Sequence, residues 1–307
     1  MRRPGFRYLS IAVALWTAAL AGCSGYIERR AAESTVAITR QSRVAVQRLA
    51  DVQLAREATP GGLIQLEAFA LAYPDQRGFL ALLAEGYCQY AVGFLNDDWD
   101  AAVLRGDLPT ASALMTRTLG LLDRCIDYGL QLLGPRWQRA HRAGPAPLQA
   151  LVAGARAADV EGMGWVALGL ATAVSMNPLS GKRRALLPVA QALLERIVAL
   201  QPDHRDATAH VLLGAIHSAR SRLLGGDPPA GRKHFERARA LTGGGALLVD
   251  VMLARTYAVT TGDRQLFRQA LERVLAADPT RWPERRLVNE MARRKARRYL
   301  DVEDRFF

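Results

Sequence analysis

The stretch Trp165-Val166-Ala167-Leu168-Gly169-Leu170-Ala171-Thr172, answered by Ala190-x-x-x-Leu194-x-x-Ile197 running to Pro202, decides the fold. In both halves apolar residues recur at three- and four-residue intervals, the period of a helix with one buried face. Glycine and alanine stand where the two helices must approach. The pair therefore reads as a helical hairpin whose remaining apolar face only another hairpin can cover.

Further copies flank it. His210-x-x-Leu213-Gly214-x-x-His217 opens one, with Phe235 and Ala238 on its second helix and Gly243-Gly244-Gly245 as the stop. Asp250-x-x-Leu253-Ala254-x-x-Tyr257 opens another, closed by Phe267, Leu271, Val274 and Asp278-Pro279. Upstream, Leu83-Ala84-x-x-Tyr87 reads as a degenerate first helix whose partner runs from about Thr110 to Leu133, with 96–109 as an insertion. The small-large spacing resembles the tetratricopeptide repeat. Alternating β-branched runs are missing, so the expectation is all-α: tetratricopeptide-like hairpins with irregular linkers, capped by a basic C-terminal helix from Arg285 to Asp301.

Working toward the N-terminus, residues 63 to 72 are expected as a short helix closed by Tyr73-Pro74-Asp75, and Thr59-Pro60-Gly61-Gly62 as a breaker before it. Residues 24 to 58 read as a polar, alanine-rich lead-in helix or linker. The first residues have the layout of an export signal: arginines 2, 3 and 7, a short apolar run, then Leu20-Ala21-Gly22-Cys23. From Leu9 to Gly22 the run falls short of the roughly 20 residues a spanning helix needs. Leu-Ala-Gly-Cys is the bacterial lipobox, in which the cysteine thiol takes the diacylglycerol. The expected organisation is thus a signal at 1–22, a lipidated lead-in at 23–62 with Cys23 as the acylated residue, and a helical repeat domain at 63–307. Gly134-Pro135 and Gly144-Pro145-Ala146-Pro147 mark a possible break near 134–147. Ser24, standing where aspartate would favour inner-membrane retention, points to the periplasmic side of the outer membrane.

With half its residues apolar and 23% charged, the chain is neither disordered nor collagen-like. The net charge of +12 rests on arginine, since Lys182, Lys233 and Lys295 are the only lysines. It is spread too widely to mark a nucleic-acid surface, and export would remove that partner. Cys88 and Cys125 lie in helical patterns where cysteine behaves as a small hydrophobe, with pairing in an oxidising compartment as the alternative.

Chemistry is sparse. His141, His204, His210, His217 and His234 stand in no metal-ligand spacing, although His210 and His217, seven apart, share a helix face. Asn96-Asp97-Asp98-Trp99-Asp100 has the carboxylates of a calcium loop without its glycine or closing glutamate, and reads as an exposed turn. No nucleophile, acid-base pair, cofactor or metal motif emerges, which disfavours an enzyme. Tyr87, Tyr90 and Phe94 line one helical stripe, and Trp165 and Tyr257 hold the inner positions of later hairpins. They are either core or the border of an apolar groove for a small ligand.

The chain resembles a known family over nearly the whole of its mature length, most densely after residue 165. The residues that carry the likeness are Trp165, Leu187-Pro188, and Leu224-Gly225-Gly226-Asp227-Pro228 leading into Ala230-Gly231-Arg232-Lys233-His234-Phe235-Glu236-Arg237-Ala238. It continues through Thr242-Gly243-Gly244, Leu247, Ala254 and Tyr257, and ends in Leu287-Val288-Asn289-Glu290-Met291-Ala292-Arg293-Arg294-Lys295-Ala296 and Asp304-Arg305-Phe306-Phe307. They resemble the T-component lipoproteins (TatT) of tripartite ATP-independent periplasmic (TRAP) transporters. The resemblance implies a periplasm-facing accessory lipoprotein that docks a TRAP solute-binding protein, offers a conduit for a small organic ligand, and assembles as an oligomer, with a trimer suggested. A scaffold in outer-membrane assembly or secretion, holding no ligand, is the other reading of the same repeats.

Overall fold

The computed structural model of the protein describes residues 28–307; the signal segment, Cys23 and Ser24 lie outside them. No strand occurs among the described residues. In chain order the helices are α1 (28–47), α2 (Val52–Ala72), α3 (Arg77–Gln89), a π-helical turn Tyr90–Leu95, α4 (Asn96–Arg105), α5 (Leu108–Leu133), α6 (Pro135–Ala143), α7 (Pro145–Val152) and α8 (Val160–Met176). There follow α9 (Gly181–Arg184), α10 (Leu187–Leu200), α11 (His204–Ser218), α12 (Pro228–Leu241), α13 (Leu248–Met252), a second π-helical turn Leu253–Ala258, α14 (Val259–Thr261), α15 (Arg264–Ala276) and α16 (Arg286–Asp301).

The packing follows the sequence. α3 pairs with α5, α5 with α8, α8 with α10, α10 with α11, α11 with α12, and the α13–α14 segment with α15. The small positions are what let these pairs close. A Cβ added at Gly169 would come 2.7 Å from Ile126 Cγ1 on α5, and one at Gly214 would come 2.9 Å from the Phe235 ring on α12. Aspartates start the helices: Asp51, Asp107, Asp227 and Asp263 each accept a backbone N–H from the first turn of the helix that follows.

Three expectations need correction. The first concerns α2, which is one helix through Thr59-Pro60-Gly61-Gly62 rather than a linker, a breaker and a short helix. An interior proline costs about 3 kcal/mol and each glycine about 1. Those costs are met because Asp51 caps the helix and because Ala55, on one side of Pro60, and Leu63 and Leu66, on the other, enter the same core cluster. Second, Asn96–Asp100 is the start of α4 and not an exposed turn, so the supposed insertion packs on α5. Asp97 and Asp100 are buried, ion-paired to Lys295 and Arg298 of α16. Third, Cys88 and Cys125 are bonded to each other, joining α3 to α5 with Cα atoms 5.2 Å apart. Both positions are apolar and buried, as their pattern implied, and their facing places on adjacent helices are what allow the bond.

α16 does more than cover the last hairpin. It packs on α15, while Leu287 and Met291 reach the core cluster built by α1–α3. The last helix thus returns to the first part of the array. Asn289, buried, accepts from Leu247 N–H (3.1 Å) and donates to Gly245 O (3.0 Å), fixing the loop before α13.

Candidate functional site

The most developed polar constellation forms around Trp165 on α8. Its indole N–H donates to Glu161 Oε1 at 3.0 Å, one helical turn away, and the Arg205 guanidinium lies over the ring, 3.8 Å from its centre. Arg205 also donates to Glu85 of α3 at 3.3 Å and pairs with Glu161, while Arg43 of α1 pairs with Glu85. Two arginines and two glutamates from four helices therefore alternate across the α1–α3–α8–α11 junction.

A strained backbone holds Arg205 there. Arg205, Asp206 and Ala207 have φ of 48°, 56° and 56°, three successive left-handed residues at the start of α11. Each costs roughly 1–2 kcal/mol for a residue with a Cβ. The contacts that offset this are the ring stack and ion pairs of Arg205, the Arg285–Asp206 pair (Nε to Oδ1, 2.8 Å), and full burial of Ala207.

Burial acts on every charge here. Alone it would raise the Glu161 carboxyl, but hydrogen bonding and charge from Arg205 hold it below the ordinary carboxylate range. Burial lowers the His204 imidazole, and Arg205 lowers it further. His204 Nε2 is buried 3.6 Å from Glu161 Oε2 with no hydrogen-bond partner. Arg43 is lowered by burial, against the pull of Glu85.

Beside this network opens a cleft of about 240 Å³, lined by Arg40, Arg77, Leu132, Leu133, Asp159 and Glu161 among others. Asp159 accepts from the Arg156 backbone N–H, and Glu161 is committed to Arg205 and Trp165. Arg77 donates to the Leu132 carbonyl. The cleft thus presents arginine charge whose acidic neighbours are already engaged. A second cleft of about 220 Å³ lies between α12, α13 and α15, where Arg239 and Arg273 pair with the buried Asp250 and Arg232 with Glu236. The first suits the recognition of carboxylates by guanidinium groups, in the second the arginines are already paired, and neither sets a nucleophile against a base.

Residues 48–307 match the family described as TRAP transporter T-component. The chain belongs to this family. An uncharacterized protein of Treponema pallidum (strain Nichols) is 24% identical over 252 residues, covering 80% of this chain and 77% of that one. T-component membership makes the protein an accessory component associated with a TRAP transport system; the family is not an enzyme family.

In this T-component, four of the five aromatics singled out from sequence share one core cluster. Tyr87, Tyr90, Phe94 and Trp165 are all buried in it, while Tyr257 sits half-buried against a different cluster. Tyr87 stacks on Tyr128 (5.8 Å between ring centres, 12° apart), and both hydroxyls donate to Glu67 Oε1, at 2.7 and 3.0 Å. Burial, then Glu67, pushes the Tyr128 hydroxyl up to about 12. Tyr90 and Phe94 pack on each other along the first π-helical turn, and Tyr257 lies on the second, under the Arg232 guanidinium at 5.7 Å. None of the five lines either cleft.

Sequence reasoning missed Glu85, Glu161 and Arg205. Only the Glu161-x-x-x-Trp165 spacing hinted at the site, because the other partners come from helices far apart in sequence. It paired His210 with His217 on one helix face but not with His234, which joins them in a cluster between α11 and α12. His210 and His234 bring their Nδ1 atoms to 2.9 Å, and His217 stacks on His234 at 5.6 Å. No group of three ligands stands at metal-binding geometry among the described residues.

Proposed function

We propose that this T-component is an exported lipoprotein, held by acyl chains on Cys23 at the periplasmic face of the outer membrane, that docks the solute-binding protein of a TRAP transporter. Its paired helices are diverged tetratricopeptide units, and the surface they build is the docking scaffold. The observation that carries this reading is family membership over 48–307 together with the cleft lined by Arg40 and Arg77, which offers guanidinium groups to acidic side chains on a partner.

Between docking and ligand transfer, the cleft sizes favour docking as the main role. At about 240 and 220 Å³ both fall below the roughly 300–1,000 Å³ of ordinary ligand pockets. The scaffold reading, in which the same repeats serve outer-membrane assembly or secretion, gains nothing comparable.

Photo-crosslinking from positions 40 and 77 in the intact envelope tests the proposal. Recovery of a TRAP solute-binding protein, weakened when Arg77 is replaced by Glu, is the expected result. Recovery of assembly or secretion proteins instead, with no solute-binding protein, overturns it. Native mass spectrometry of the purified protein reads the ligand question separately.

A further inference from the structure

The outward face of α2 is unlike any ordinary solvent-facing helix surface. From Ala58 to Ala72 the exposed residues are Ala58, Gly61, Gly62, Ile64, Gln65, Ala68, Leu71 and Ala72, and not one carries a charge. Ile64 is 71% exposed and Leu71 is 83% exposed. Glu67 is the one charged residue in the segment, and it points to Tyr87, Tyr128 and Arg124. A surface helix normally shows charged groups on the side opposite its core stripe. Here the core stripe of Ala55, Leu63 and Leu66 is present, but after the exposed Glu57 the outward side carries no charge.

The register of the first three helices places this face. Leu63 meets Gly86, Glu67 meets Tyr87 and Phe69 meets Phe79, so α2 runs antiparallel to α3. Val36 meets Gly78 and Arg43 meets Gln89 at 3.2 Å, so α1 runs parallel to α3. The C-terminal half of α2 therefore lies level with the middle of α1, around residues 36–43. Ile38, 68% exposed, is at this level, and Arg29 is exposed nearer the start of the same helix, between the exposed Glu28 and Glu33. Cys23 precedes residue 28 by five positions, a reach of at most about 17 Å even when fully extended.

We propose that the uncharged face of α2 between Ala58 and Ala72, together with Ile38, rests on the surface of the bilayer that receives the Cys23 acyl chains. This inference rests on the lipoprotein reading of Cys23. An in-plane helix buries apolar side chains at the boundary of headgroups and acyl chains. The contact turns a loose tether into a defined orientation, with α2 against the membrane and the rest of the array directed away from it.

The test uses the purified acylated full-length mature protein in vesicles of phosphatidylethanolamine and phosphatidylglycerol. Single cysteines replace Ile64, Leu71, Leu179 or Leu223 and carry an environment-sensitive fluorophore; the disulfide keeps Cys88 and Cys125 out of the labelling. Leu179 and Leu223 are 91% and 97% exposed and belong to other segments. Quenching by lipid-borne quenchers is expected to be at least about two-fold greater at 64 and 71 than at 179 and 223. A Leu71→Glu change is expected to return the label at 64 to water without altering the circular dichroism. Protein that floats with the vesicles while all four labels remain aqueous overturns this inference and leaves the anchor intact. Protein that does not float overturns the anchor and this inference with it. Shielding of 64 and 71 without lipid, growing with protein concentration, assigns the face to a second copy and overturns the bilayer.

Discussion

The Arg205 guanidinium stacks on the Trp165 ring at 3.8 Å and carries ion pairs to Glu85 and Glu161 from a left-handed backbone turn. One side chain thereby joins α3, α8 and α11, and its own backbone strain is tolerated because those contacts offset it. Removing the side chain leaves the strain and takes away what balanced it.

Arg205→Met is expected to destabilise the protein by about 1–3 kcal/mol, since it abandons two partly buried carboxylates. Arg205→Lys keeps the charge but loses the planar fork and much of the ring contact, and is expected to recover less than half of the loss. Urea midpoints measure both. A midpoint unchanged in Arg205→Met shows that the network contributes nothing to folding.

Where α16 meets α4, Lys295 pairs with Asp97 at 3.2 Å and Arg298 with Asp100 at 3.0 Å. Arg298→Met should cost about 3 kcal/mol, because two buried carboxylates lose their main counter-charge. Adding Asp97→Asn and Asp100→Asn should restore part of it. If the triple variant melts as low as the single one, unpaired charge is not the reason.

The Cys88–Cys125 bond closes a segment with a sequence separation of 37. Replacing both cysteines by alanine should cost roughly 2–4 kcal/mol by the loop-closure argument. Equilibrium unfolding with and without reductant reads this directly, and reductant should have no effect on the double variant.

Stability should fall as the medium is acidified from about pH 6.5 to 4. Burial, then the neighbouring His234 ring and Arg237, bring His210 down to about 4, while in the unfolded chain it returns to its ordinary value of 6.5. Between those values the unfolded state binds the extra proton, so stability rises with pH across that window and is fully present above it. His234 is lowered as well, by burial and then His217, against Glu195. His210→Gln should flatten the melting temperature between pH 7 and pH 5. An equal slope in wild type and variant would place the pH dependence elsewhere.

The hairpins were legible because their signal is local. Trp165, Gly169 and Gly214 repeat with the helical period, and each packs as its spacing implies. What escaped was set by residues far along the chain. Pro60-Gly61-Gly62 reads as a breaker until Leu63 and Leu66 are seen to share a core with Ala55. Asn96–Asp100 reads as a turn because the counter-charges of Asp97 and Asp100 are about two hundred residues downstream. The Trp165 site was half visible: the aromatic was singled out and Glu161 stands one turn from it, but the cation Arg205 and the second acid Glu85 come from other helices. Tyr87, Tyr90 and Phe94 were correctly placed on one stripe, and that stripe packs in a core cluster with Trp165.

Because α16 supplies Met291 and the two cations that α4 needs, the part of the polypeptide synthesised first is among the last to be finished. A nascent chain lacking its final thirteen residues holds Asp97 and Asp100 without Lys295 and Arg298, and so displays water-seeking carboxylates amid apolar surface. Premature termination or clipping near the C-terminus is thereby felt in the opening third of the molecule, which gives proteases a simple means of sorting whole copies from broken ones.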